Sequence, residues 1–236
     1  MKAFFSLLQF ATILPLGKPQ DLEHFAKHSY IYPLAGYVIG ILVALPVFFI
    51  TTPTIAAVLA VALLMLITGA HHFDGLMDLG DGLMAHGDKE KRIRALTDRS
   101  VGTGAVALAL VTTLLLFAGL QEAVPMTCAI IIGEVCAKFS MAFLTAYGKP
   151  FHEGMQSYLH QHASPGFPVL SFLLCLPLFL LPVAPVKILA AMVLMLVCPI
   201  TLLGISHRLF GGVNGDVVGA SNEITRALVV VGFVLF

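Results

Sequence analysis

Between positions 71 and 82 the chain reads HHFDGLMDLGDG. Asp74, Asp78 and Asp81 recur at i, i+4 and i+7, a spacing that places all three carboxylates on one face of a helix. Three like charges a turn apart repel, and beside a low-dielectric medium that repulsion is poorly screened unless a cation sits among them. Carboxylate oxygens suit a hard divalent ion. Mg²⁺ is the expected one, because it binds through a few carboxylates together with the oxygens of a phosphate substrate. Gly75 and Gly82, lacking a Cβ, would let a phosphate or a second helix approach the backbone. The competing reading is a set of acids solvated at a membrane edge. His72, two residues before Asp74, could orient a carboxylate, act as a base or touch phosphate, while His71 and His86 fit a headgroup layer. No H-x-x-x-H or H-E-x-x-H spacing occurs, which argues against zinc.

Two further constellations carry chemistry. Downstream, DKEKRIRALTDRSVGTG supplies Lys89, Lys91, Arg92 and Arg94, which read as a solvated amphipathic stretch or as partners for phosphates and lipid headgroups. Asp98, Arg99 and Gly102 follow at the mouth of an apolar segment, where a backbone turn could approach a ligand. Glu134 and Lys138 stand i, i+4 inside another apolar segment. Each charge alone would cost about 2.5–3.5 kcal/mol at a bilayer centre, so they must pair with each other or face a polar, substrate-binding cavity, and both readings stand. Finally, SHRLFGGVNGDVVGASNE at 206 to 223 offers Gly211, Gly212, Gly215 and Gly219 as a close-approach backbone. Asp216 and Glu223, seven residues apart, again share one helical face and read as a second half of the acidic site.

The elements that must position these groups follow from composition. Of 236 residues 58% are apolar and 11% charged, and the mean hydropathy is +0.96. Soluble domains carry about 25% charged residues, so this chain faces lipid rather than water over most of its surface. Charge balances at 13 basic against 13 acidic residues, which leaves no field to gather nucleic acid. Cys128, Cys136, Cys175 and Cys198 all lie in apolar runs without a C-x-x-C pair and read as buried free thiols. Six segments approach the roughly 20 residues that a helix needs to cross a bilayer: 31 to 50, 53 to 70, 104 to 120, 126 to 146, 167 to 183 and 186 to 205. A seventh, 224 to 236, is shorter. The run from Ala3 to Pro15 is short for a span and lacks a small-x-small cleavage site, so it reads as a retained interfacial or re-entrant helix. The expected fold is all-α: one integral-membrane domain, a bundle of six or seven spans.

Short, nearly uncharged turns alternate with long polar connections at 18 to 30, 71 to 103, 147 to 166 and 206 to 223, which puts every long loop on one side. Ten of the 13 basic residues lie in or beside those loops, Arg226 among them, and so do all nine histidines. By the positive-inside rule that side is cytoplasmic. Polar groups concentrated in one compartment suggest surface chemistry rather than a path through the membrane. No inverted repeat is visible, which weakens a transporter reading built on Glu134 and Lys138.

Four motifs in order, H-x-D-G-L-x-D-x-x-D-G at 72 to 82, D-R-S-V-G at 98 to 102, F-H-E-G-M at 151 to 155 and G-G-V-N-G-D-V-V-G-A-x-x-E at 211 to 223, closely resemble the cobalamin synthase family. The opening LLQFATILPLG and YPLAGYVIG are similar to that family's beginning. The resemblance implies an adenosylcobinamide-GDP ribazoletransferase: a hydroxyl of α-ribazole or its 5'-phosphate attacks the cobinamide phosphate of adenosylcobinamide-GDP and GMP leaves. It implies Mg²⁺ dependence, a lipid-embedded chain in the plasma (inner) membrane of a bacterium, and a site facing the cytoplasm; a homo-oligomer is left open. Carried over by position, His72, Asp74, Asp78 and Asp81 match the acidic motif, Asp98 and Gly102 the next block, and Asp216 and Glu223 the last. Lys138 and the GTGAV that follows Val101 depart from the arginine and GTFGV of many members.

On that footing Asp74, Asp78 and Asp81 are the expected metal ligands, with His72, Asp98, Asp216 and Glu223 as catalytic candidates. Gly75, Gly82, Arg99, Gly102, Glu134, Lys138 and Gly215 are the expected substrate-binding residues. A CDP-alcohol phosphatidyltransferase follows similar acidic logic, but its D-x-x-D-G-x-x-A-R and later paired aspartates are absent.

Overall fold

The computed structural model describes all 236 residues, and they form helices without a sheet. In chain order these are α1 (Lys2–Ala11), α2 (Leu22–Ala26), α3 (Tyr32–Phe48), α4 (Pro53–Thr68), α5 (His71–Met84), α6 (Lys89–Leu96), α7 (Thr103–Glu122), α8 (Met126–Tyr147), α9 (Met155–His162), α10 (Phe167–Cys175), α11 (Pro185–Leu209) and α12 (Gly215–Leu235). Starts are written in the sequence. Pro53 and Pro185 open α4 and α11, where the missing N–H costs nothing. The side chains of Asp21, Asp88 and Asn214 accept hydrogen bonds from the first turns of α2, α6 and α12.

Five helices are long and apolar enough to cross a membrane: α3 with its preceding 3-10 turn, α7, α8, α11 and α12. The number rises to as many as seven if each of two sharply bent helix pairs is counted as one span. Here α4 turns by 96° into α5, and α9 turns by 93° into α10 and its 3-10 extension to Leu180. The first bend is made by Gly69 at φ 63 and Ala70 at φ 57, left-handed conformations that end one helix and redirect the next. α5 therefore runs across the direction of α4.

α8 is the axis of the bundle, packed by α3, α10, α11 and α12. Small residues let backbones meet where lipid gives no hydrophobic reward for association. A Cβ on Gly36 of α3 would lie 2.7 Å from the Val135 Cα of α8, and one on Gly40 would lie 2.9 Å from that of Ile131. The outer faces carry exposed Leu45, Phe48, Ile55, Leu66, Leu110, Leu114, Val193 and Ile200, the surface that a bilayer covers. The four cysteines are buried free thiols.

The long connections are not loops. The first contains α2, the second α5 and α6, the third α9, and α1 is a ten-residue helix that buries Leu7, Leu8 and Ala11. The largest correction concerns 206 to 223. α11 runs to Leu209, a short turn follows, and α12 begins at Gly215, so the last span has 21 residues and holds Asp216, Asn222, Glu223 and Arg226 within it. Its polar first turns hide the helix from a hydropathy reading. Close contacts collect the polar segments at one end: Gly75 meets Asp216, Gly80 meets Gly104, and Pro150 bridges Val213.

Gly36→Leu should overpack the α3–α8 contact and cost about 1–3 kcal/mol. The expected result is a lower melting temperature in detergent, and an unchanged one would show that these helices can separate without loss.

Candidate active site

At the gathered end, α5 presents its acidic face to the start of α12 and to the loop before α7. Asp74, Asp78 and Asp81 line a cleft of about 340 Å³ together with Asp216 and the segment from Thr97 to Val101. Asp216 comes this close because Gly75 has no side chain: a Cβ there would fall 2.7 Å from the Asp216 carbonyl oxygen. Gly75 thus serves helix contact, the second of the two uses expected for it.

The acids are not equivalent. Burial, and then the like charges of Asp216, Asp74 and Asp81, push the Asp78 carboxyl up to about 7. Asp216 accepts a hydrogen bond from Asn214 Nδ2 at 2.6 Å. Asp81 is committed to the fold: Oδ2 accepts from the Gly102 N–H at 2.8 Å and Oδ1 from the Ala105 N–H at 2.9 Å, which ties the end of α5 to the positive N-terminus of α7. Gly102 is accordingly a packing position, since a Cβ there would run into the Asp81 carboxylate. Asp98 sits exposed at the rim, held below the usual carboxylate range by hydrogen bonds from the Ser100 hydroxyl and N–H. Arg99 is the one cationic side chain lining the cleft and makes no ion pair.

No three acidic, histidine or cysteine side chains approach closely enough to form a closed metal cage. An open arrangement is what a magnesium ion uses, because it keeps several waters and takes one or two carboxylates with the rest from phosphate. The donor set, hard oxygens whose burial and mutual repulsion already raise Asp78, fits that ion.

Other expected site residues lie elsewhere. Glu134, Lys138 and Glu223 are not in the cleft but in the bundle interior. There Arg226 donates to Glu134 and, at 2.6 Å, to Glu223; Lys138 donates to Asn222 at 2.6 Å and lies 3.4 Å from Glu134. Glu134 and Lys138 are fully buried and in contact with each other, the arrangement of the pairing reading. Glu223 shares a face with Asp216 as expected, but two turns farther into the bundle. Gly82 packs on Leu96 and Phe210 rather than opening to a ligand. His72 and Gly215 line a second cavity, separate from the acidic cleft.

Sequence reasoning passed over Asn214, Asn222 and the role of Arg226, which it counted among loop cations. The signal was present: Glu223 and Arg226 are i, i+3, and Asn214 precedes a helical pattern as an N-cap.

Comparison with known proteins bears on the whole chain. The family model described as cobalamin-5-phosphate synthase matches residues 3–234. A protein of Methanococcoides burtonii named adenosylcobinamide-GDP ribazoletransferase is 33% identical over 93% of this chain and 87% of its own length. Proteins of the same name from Halorubrum lacusprofundi (37% identical; 93% of this chain, 91% of the relative) and Deinococcus radiodurans (35%; 98% and 85%) are similar to it as well. No solved structure matches the chain.

Removing Arg226 would leave two buried carboxylates with one cation, Lys138, between them, and Arg226→Leu should destabilise the protein by about 3–5 kcal/mol, read from unfolding in detergent. Glu223→Gln should lower the melting temperature but leave turnover per folded molecule within a few-fold. A loss on the order of 10²–10⁴, the size expected for a general base, would return Glu223 to the chemistry.

Proposed function

Because the chain belongs to the cobalamin-5-phosphate synthase family, we propose that it is an adenosylcobinamide-GDP ribazoletransferase, the activity for which its relatives are named. The observation that carries the site is the meeting of Asp74, Asp78 and Asp216 across one cleft with Arg99 at its edge. In the reaction an acceptor hydroxyl oxygen of ribazole forms a bond to the cobinamide-side phosphorus, the bond from that phosphorus to the bridging oxygen breaks, and GMP departs with that oxygen. Displacement of this kind needs charge neutralised and two reactants aligned, so catalysis is positioning plus electrostatics.

Asp74 and Asp78 would hold Mg²⁺, with Asp216 opposite; bound there, the ion would neutralise charge developing on the diphosphate. Arg99 reaches the cleft as a donor to phosphate oxygens. One Asp216 oxygen is occupied by Asn214, and the other is the carboxylate oxygen available to accept the proton of the attacking hydroxyl. Asp81 holds the α7 terminus beside this group, and Asp98 shapes the rim. The clustered lysines, arginines and histidines of the polar end support a cytoplasmic orientation in the plasma membrane, with lipid around the apolar belt. Neither a lipid headgroup transferase nor a transporter receives comparable support.

Purified protein in proteoliposomes should release GMP from adenosylcobinamide-GDP only when ribazole and Mg²⁺ are both present. Asp74→Asn and Asp78→Asn should each lower kcat by roughly 10²–10³-fold, the range for losing one preorganised electrostatic group. Release that survives chelation of the metal, or that is equally fast in both variants, contradicts the assignment. A thiol reagent excluded from the interior of right-side-out cells should fail to label Ser100→Cys if the cleft faces the cytoplasm.

A further inference from the structure

On the other side of the α5–α12 crossing lies a cavity of about 280 Å³, walled by Phe10, Tyr32, Met141, Leu159 and Gly215 with His71, His72 and Gln156. It is close to the lower end of the 300–1,000 Å³ of small-molecule sites, and its lining is of the same kind, mostly apolar with few polar groups. Of those polar groups, Gln156 is already spent, its Nε2 donating to the Leu144 and Gly148 carbonyls at 3.2 Å. His72 is 7% exposed and makes no hydrogen bond, and its Nδ1 is buried without a partner. The Tyr32 hydroxyl lies near that of Thr145, yet neither has a partner of good geometry.

The position relative to the acidic cleft is specific. Gly215 lines the cavity and Asp216, the next residue, lines the cleft. Gly75 against Asp216 and Gly219 against His72 form the crossing that divides them. A molecule seated in the cavity would therefore extend its far end past the first turn of α12 to the acids. Resting on the transferase reading above, we propose that this cavity is the acceptor subsite, taking the apolar bicyclic aromatic base of the ribazole nucleoside and directing its ribose toward Asp216. A corrinoid is far too large for the cavity.

Gly215 offers the test. A Cβ there meets no atom within 4 Å, so a larger side chain enters open space without displacing backbone. Equilibrium binding of α-ribazole to detergent-purified protein, measured without the second substrate, should weaken roughly ten- to hundredfold in Gly215→Leu and less in Gly215→Val. In GMP release the same variants should raise the KM for ribazole and leave that for adenosylcobinamide-GDP within a factor of two. If Gly215→Leu does not purify as a single species, Gly215→Val carries the comparison. Unchanged ribazole binding, no ribazole binding by the unmodified protein, or a KM change confined to adenosylcobinamide-GDP overturns the subsite. Ribazole binding that responds to Gly215 while GMP release is absent would instead count against the transferase reading alone.

Discussion

The placement of Arg226 between Glu134 and Glu223 governs the rest of the molecule. These groups sit in the interior of a bundle whose outside is hydrocarbon, where an unmatched charge is expensive and a matched one holds its partners to a fixed geometry. The network contains two cations and two carboxylates, with Asn222 bridging Lys138 to Glu223. It fixes α12 against α8 in both rotation and height. Asp216 lies ten residues toward the start of the same helix, about 15 Å along its axis, so the pairing sets where that carboxylate stands.

From there the positions of the other acids follow by contact. α12 is met by α5 at a point where Gly75 must lack a side chain, and α5 is fixed at its far end because Asp81 accepts the N–H groups that open α7. Satisfying a helix terminus and building an acidic face are thus done by one row of residues. Asp74 and Asp78 are left with no protein donor, and burial together with the like charges around it makes ionisation of Asp78 costly. The stability of the scaffold comes from the groups that are paired, and the reactivity proposed for the site comes from those that are not.

Much of this was legible in the sequence. The apolar segments announce the bundle, and the i, i+4, i+7 spacing announces the acidic face of α5. What composition could not give was partnership across helices. Glu134 and Lys138 look like a self-contained pair at i, i+4, yet the structure makes Arg226 the group that joins Glu134 to Glu223, and that residue was hidden because the polar first turns of α12 read as loop. Gly75, Gly82 and Gly102 illustrate the same limit: a missing Cβ announces that something comes close, but only the fold says whether it is a ligand, a helix or an aspartate. Asp81 keeps the spacing of its two neighbours, and its commitment to α7 depends on a segment 21 to 24 residues away.

The location of the site at the helix ends follows from the size of what the family handles. A cleft of about 340 Å³ accommodates a diphosphate and its counter-ion but not a corrinoid macrocycle. On the proposed reading the macrocycle stays outside the bundle while its phosphate tail enters. A midplane site, as in transporters, would require the bundle to open around the whole substrate. Helix termini at a membrane surface avoid that, because they bring N–H groups and carboxylates to the boundary while leaving bulk solvent on the open side. The second cavity fits the same constraint from the opposite direction: a small apolar base can be enclosed between α1, α3, α8, α9 and α12, where a large polar one cannot. Two substrates of very different size can then meet at one phosphorus, the large one from outside and the small one from within, without the spanning helices moving apart.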